Sequence, residues 1–373
     1  MRARIIGPLA AVAVLLAGCA TTPTPPGAAH PRVSAAEGRA LAVRLLPDGL
    51  ADRAGWATDL YAPIATLDIP PTPENLCAAI AIAEQESGLR ADPAVPGLPR
   101  IARKELEARR ERAGVPKVAL DAALALPSSN GRSYGERLDA VKTERQLSEL
   151  YEDFIGRVPF GRTFLADRNP VRTGGPMQVS VAFAEAQVEA KPYPYPVTQS
   201  IRHEVFTRRG GMYFGIAHLL DYRAPYDRPI YRFADFNAGR YASRNAAFQD
   251  ALTRISGVPL ALDGDLLRYD AGRPSAEPGS TELAARALAR RLGMSEADIR
   301  RDLELGRDEA FERSRLYGRV FALADGIGRA PAPRAVLPRI VLQSPKITRR
   351  LTTDWFARRV ESRFRQCLAR LDG

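Results

Sequence analysis

TPENLCAAIAIAEQESG, residues 72 to 88, is a helix written out from start to stop. Thr72 offers a side-chain oxygen for the N-cap, and Pro73 suits the first helical position because its missing N–H would be unpaired there in any case. Glu74 sets a negative charge in the first turn. The apolar run through Ala79, Ile80, Ile82 and Ala83 carries the helix on, and Gly88, which takes a left-handed conformation without strain, ends it. Glu86 and Ser87 fall in the last turn. Ile82 lies four residues before Glu86 and Ala83 three before it, so this carboxyl shares a helix face with apolar groups. Burial penalises a charged carboxylate, and an acid in such a setting can serve as a general acid near neutral pH.

Beyond this helix the same three- and four-residue spacing of apolar side chains recurs, while runs of alternating period are short, so the chain reads as mainly α. From Ile101 to Arg112 nearly every residue is charged or small, giving a solvated helix. Asn130-Gly131 and Pro159-Phe160-Gly161 mark turns on either side of a helix from about Glu136 to Ile155. After Val179 a helix runs to about Glu189 and breaks at KPYPYP. The three prolines there force an extended strip bearing Tyr193 and Tyr195, either an ordered loop or the stacking wall of a sugar groove. Another helix spans roughly Gly211 to Leu220, and Phe236-Asn237-Ala238-Gly239 is expected to begin the next. A boundary is expected in DAGRPSAEPG, 270–279, followed by a helical C-terminal extension over 280–373 that packs on the preceding domain.

At the N-terminus Arg2 and Arg4 precede a run from Ile5 to Leu16 that is almost wholly apolar. The pattern is an export signal over residues 1–18, and its apolar run falls short of the roughly 20 residues a spanning helix needs. Leu16-Ala17-Gly18-Cys19 resembles the lipobox of bacterial lipoproteins, which implies lipidation of Cys19. Ala20 implies, in that class, an outer-membrane location facing the periplasm. Residues 19–34, rich in Pro, Thr and Ala, read as an extended tether. Loss of the two signal arginines leaves the formal charge two below the +11 of the whole chain, still strongly basic. In an exported protein this points away from nucleic acid and toward anionic lipid headgroups or the acidic peptide stems of peptidoglycan, with a generally soluble basic surface as the plain alternative.

Patterns for other chemistries are missing. There is no H-E-x-x-H and no cysteine pair at metal spacing, and His30, His203 and His218 stand apart. G-x-x-x-x-G-K-[ST] does not occur.

AIAEQESGL (81–89), GGPMQVS (174–180), GGMYFGIAHLL (210–220) and FADFNAG (233–239) resemble, in order, four successive motifs of the lytic transglycosylases of glycoside hydrolase family 23. Those motifs read E-S, G-L-M-Q, a helix with G-x-x-Y-L, and A-Y-N-A-G. The resemblance implies a lysozyme-like helical domain over 35–270, with Glu86 as catalytic acid and base and Ser87 beside it. It implies Met177 and Gln178 lining the groove near the scissile sugar, and Phe236 and Asn237 at the saccharide. About 90 residues separate Glu86 from Gln178, where the family has a few tens, so a helical insertion at about 95–168 is expected. Pro176 and Phe236 stand where the family has leucine and tyrosine. The chain as a whole also resembles an uncharacterised family of proteobacterial lipoproteins.

Most glycosidases work with two carboxylates. This family uses one, because the C6 hydroxyl of N-acetylmuramic acid attacks its own anomeric carbon and leaves a 1,6-anhydro sugar. The resemblance therefore implies no metal and no organic cofactor. Asp235 reads as a capping or solvated residue before it reads as a second carboxylate. Arg208 and Arg209 read as a solvated pair or as partners for peptide-stem carboxylates. The rival expectation is a non-catalytic lipoprotein that keeps the groove to bind peptidoglycan or to scaffold envelope protein partners. Once Cys19 is lipidated, Cys77 and Cys367 remain in a compartment that permits pairing. Phe356, Val360, Phe364, Cys367 and Leu371 form one apolar stripe, so the terminal helix is expected to pack behind the helix of Glu86 through a Cys77–Cys367 disulfide, with two separate buried thiols as the alternative.

Overall fold

In a computed structural model, which describes residues 33–270, 272–342 and 350–372, the helix read first from the sequence is the one the first core is built around. The signal, Cys19 and nearly all of the tether lie outside the described residues. α1 (Ala35–Leu45) and α2 (Arg53–Thr66) lead into α3 (Pro73–Ser87). Thr72 Oγ1 accepts from the Asn75 N–H at 3.3 Å, and Gly88 closes the helix at φ 62°. Every residue from Leu76 to Ala83 is buried, which requires neighbours on all sides. α1, α2 and two helices from later in the chain supply them. Ile80 and Ile82, fully buried, each contribute ~1.5–3 kcal/mol.

α4 (Leu98–Arg112), α5 (Lys117–Ala125), α6 (Tyr134–Ala140), α7 (Glu144–Arg157) and α8 (Gly161–Leu165) follow. α4 to α7 enclose a small core of their own, with Leu98, Tyr134, Leu138, Val141 and Leu150 buried. The single helix expected from 136 to 155 is two. Thr143 interrupts it, accepting from the Gln146 N–H at 3.2 Å, because a cap residue competes locally with an apolar period that runs through it.

β1 (Thr173–Gly174) and β2 (Val179–Ser180) form an antiparallel hairpin in which Gly174 faces Val179. α9 (Val181–Ala190) and α10 (Ile201–Val205) bracket the KPYPYP strip, which is an ordered loop. Tyr193 stacks on Phe214 at 5.0 Å and donates to the buried Glu204 at 2.9 Å. α11 (Arg208–Leu220), α12 (Pro229–Ala238) and α13 (Ala242–Ser256) come next. Phe236-Asn237-Ala238 is the last turn of α12 and does not begin a helix, since Gly239 at φ 106° ends it and α13 starts at Ala242.

A second core joins α13 to α14 (Ser280–Ala287), α15 (Ala289–Leu292), α16 (Glu296–Glu304) and α17 (Arg315–Asp325), around Phe248, Leu252, Ile299, Phe311 and Val320. It therefore begins inside α13, ahead of the boundary expected at 270–279. Fully buried Arg244 ties α13 to the later segment, donating to Gly306 O at 2.7 Å and Asp308 O at 2.9 Å. α18 (Thr353–Leu368) then returns to the first core and buries Phe356, Val360, Phe364 and Cys367 against α3 and α12. Cys77 and Cys367 form a disulfide with Cα atoms 5.6 Å apart. Among the described residues no helix is long and apolar enough to cross a membrane.

Candidate functional site

α11 assembles the candidate residues. Gly211, Gly215 and His218 fall at spacings of four and three and share a face. The neighbouring stripe, Met212, Ile216 and Leu219, is buried in the core around α3. A Cβ on Gly211 would press into Pro176, and one on Gly215 into Met177. The two glycines thus let the turn between β1 and β2 lie directly on the helix. Further along the same face His218 meets Phe236 edge to face at 5.1 Å, and its Nε2 lies 3.3 Å from the Phe236 carbonyl oxygen. GGPMQVS and FADFNAG are both held on one face of GGMYFGIAHLL, and that helix packs on α3.

Glu86 is half-buried in the last turn of α3. Ser87 beside it is buried, and its hydroxyl serves the turn by donating to Ala83 O at 2.9 Å and accepting from the Arg90 N–H at 3.1 Å. Gly88 and Leu89 both take positive φ, so the chain bends sharply right after the acid. Glu84, two residues back and so about 200° round the helix, faces the chain's end instead. It pairs with Arg370 at 3.0 Å and Arg363 at 3.8 Å, and Arg363 also donates to Gln85 at 3.1 Å.

Met177 is fully buried in the first core. Gln178 is half-buried at φ 51°, a left-handed position that a non-glycine residue takes only when held there. Its side chain folds onto its own hairpin, donating to Gly175 O at 3.3 Å and accepting from Thr173 Oγ1 at 3.4 Å. Phe236 is half-buried against the first core. Asn237 is exposed, and its Oδ1 accepts from Thr353 Oγ1 of α18 at 3.1 Å.

Asp235 is a cap. It is 1% exposed and accepts from the hydroxyls of Tyr222 and Tyr226 at 3.1 and 2.8 Å, and from the N–H groups of Tyr241 and Ser243 at 3.0 and 2.7 Å. Burial dominates and holds its carboxyl above the usual range, against the pull of those hydrogen bonds. Arg208 is taken up by Asp52 and Asp59, and Arg209 by Glu204. A recess of about 350 Å³ lined by Leu67, Asn75, Leu220, Tyr222 and Arg232 opens by the start of α3, at the far end from Glu86.

His218 is the residue that sequence reasoning passed over. Burial, then the charge of Arg240, push its pKa down to about 4, so the ring is neutral. A carbonyl only accepts, so Nε2 carries the proton toward Phe236, while Nδ1 is buried without a partner among the described residues. Arg240 closes the end of α11 by donating to Ala217 O at 2.7 Å and His218 O at 3.1 Å. The available signal was positional: His218 continues the face marked by the two glycines.

A family model described as "Protein of unknown function (DUF1615)" matches residues 49–370. "Uncharacterized protein YaiW" of Escherichia coli (strain K12) is 50% identical over 368 residues, covering 97% of this chain and 99% of that one. No solved structure matches the chain. The family match begins before α2 and ends beyond α18, so the helices after Leu98, the second core and the returning terminal helix all lie within it, and the chain belongs to the DUF1615 family.

Proposed function

We propose that this chain is an envelope lipoprotein, held to the outer membrane through lipidated Cys19, whose lysozyme-like helices cleave peptidoglycan as a lytic transglycosylase. The observation that supports this best is convergence. Four segments spread over residues 81–239 meet around α3 and α11, while α4 to α7 gather a core of their own and leave the meeting undisturbed. Asp235 is committed to four donors, so the chemistry rests on Glu86. Glu86 protonates the glycosidic oxygen as the bond to the anomeric carbon breaks. The C6 hydroxyl of the same sugar then adds to that carbon and gives its proton to the Glu86 carboxylate, which restores the acid. An internal nucleophile needs no positioned water and is worth effective molarities on the order of 10⁵ M or more.

The test is digestion of peptidoglycan with mass spectrometry of the soluble products. Anhydro-muropeptides are expected from the native chain, and Glu86→Gln should lower their release by roughly 10²–10⁴-fold while leaving the fold intact. Retention of most activity by that variant would refute the role of Glu86, and reducing ends in place of anhydro ends would make the enzyme a hydrolase. The hydrogen bond from Thr353 to Asn237 favours a second reading, since it engages the amide oxygen meant for the saccharide. In that reading the chain binds peptidoglycan or positions envelope proteins without cleaving. Sedimentation with peptidoglycan and no released product would support it.

A further inference from the structure

We propose that the tip formed by α8 is a membrane-docking surface that seats on anionic phospholipid headgroups. Of eleven large apolar side chains exposed among the described residues, five lie between 115 and 164, and the two aromatic ones are Phe160 and Phe164. They are 76% and 71% exposed and one helical turn apart, the Phe164 N–H bonding to Phe160 O at 3.1 Å. The platform beneath them is held firmly. Tyr151 donates to Leu165 O at 2.8 Å, the Gly161 N–H bonds to Val158 O at 2.8 Å, and Gly161 sits so close to Ile155 O that a Cβ would overlap it. Phe160 takes φ 57°, which a bulky side chain adopts only when its surroundings impose it.

Charge decides what these rings meet. Arg157, Arg162, Arg168 and Arg172 flank them along the chain, all exposed, and Asp167 is the one acid in the stretch 157–172. Arg157 and Arg172 hydrogen-bond to the backbone carbonyls of Pro127 and Asp167, and Arg162 lies over Gly156, so these guanidinium charges are not neutralised by carboxylates among the described residues. Aromatic rings beside cationic forks match an anionic interface, where the rings enter the headgroup boundary and guanidinium groups bind phosphate. A neutral glycan chain would use the rings and leave the four arginines idle, and carboxylates of peptide stems would use the arginines and leave the rings idle. The patch itself does not rest on the lipoprotein reading above.

The test places tryptophan reporters in the full chain, reconstituted in phosphatidylethanolamine–phosphatidylglycerol vesicles with brominated acyl chains. The Phe160→Trp reporter should lose roughly two-fold or more of its emission, as expected for a ring at the acyl boundary. A Leu283→Trp reporter, at an exposed position on α14, should keep its emission. The unsubstituted chain subtracts Trp56 and Trp355. Replacing phosphatidylglycerol by phosphatidylcholine, or raising the salt, should restore the emission at position 160. Quenching no greater at 160 than at 283, or equal in phosphatidylcholine, would overturn the proposal. So would an emission change at 160 on adding peptidoglycan without vesicles, or a dimer in sedimentation that Phe160→Ser abolishes. Mass spectrometry of the N-terminus reports acylation of Cys19 separately, so a failed anchor and a failed patch are distinguishable.

Discussion

At His218 folding and protonation compete. The free imidazole titrates near 6.5, whereas in the fold burial and Arg240 hold the value at about 4. Between those values the unfolded chain binds a proton that the folded chain refuses. The stability this residue supports is therefore present above pH 6.5 and is lost as pH falls toward 4, by at most ~3 kcal/mol. Asp235 runs the other way: its raised carboxyl keeps a proton in the fold as pH rises past the unfolded value, so its contribution is lost with rising pH. The raw curve mixes the two, and the difference between the native chain and His218→Gln separates them. Urea midpoints measured from pH 7 to 4 should show the native chain losing up to ~3 kcal/mol more than the variant. Parallel curves would mean that His218 is not buried neutral. Beyond the face it shares with the two glycines, its hydrogen bond left no mark in the sequence, because the acceptor is a backbone carbonyl eighteen positions on. Asp235 was read as a cap on the expectation of a helix from Phe236; it caps α13 instead, from the last turn of α12 across the bend at Gly239.

Gly211 and Gly215 make the corresponding case for a helix. A glycine in a helix interior costs about 1 kcal/mol relative to alanine, so Gly215→Ala would stabilise an isolated α11. Here the added methyl meets Met177, and Gly211→Ala would meet Pro176. Overpacking of that kind costs ~1–3 kcal/mol, more than the propensity gain, so Gly215→Ala should be net destabilising. Gly318 in α17 has open space around its Cβ position, and Gly318→Ala should stabilise by ~0.5–1 kcal/mol. Chemical denaturation of both variants checks the contrast, and equal signs would sink the packing account. The limits of α3 were legible because caps are local chemistry: Thr72, Pro73 and Gly88 each act within one turn. The end of α12 was misplaced because Gly239 suits a stop as well as a start, and Pro229, at the first position of that helix, was the unused clue. That α13 belongs with the second core was not legible, since an apolar stripe does not say which later segment will cover it.

Cys77 and Cys367 close a loop of 290 residues that takes in the helices of 98–165, the site and the second core. By the chain-entropy model a loop of that length restricts the unfolded chain by roughly 5 kcal/mol, an upper bound. The bridge is also one part of a broader clasp. α18 buries Phe356, Val360 and Phe364 in the first core, while Arg370 reaches Leu45 O at 2.6 Å and Glu84 at 3.0 Å. Neither the core of 98–150 nor that of 247–332 contributes a side chain to this contact. Removing the bridge should therefore release the clasp without dissolving those cores. In the Cys77→Ala/Cys367→Ala variant, stability should fall by up to ~5 kcal/mol, with the greatest loss of amide-exchange protection in α3, α12 and α18. α14, α16 and α17 should lose least. The last turn of α3 carries Glu86, so any peptidoglycan cleavage should fall in step with protection there. A uniform loss of protection would show that the three cores open as one unit. Two labelled thiols in the unreduced, denatured native chain would refute the bridge itself, and with it the reason for the C-terminal helix to return to α3.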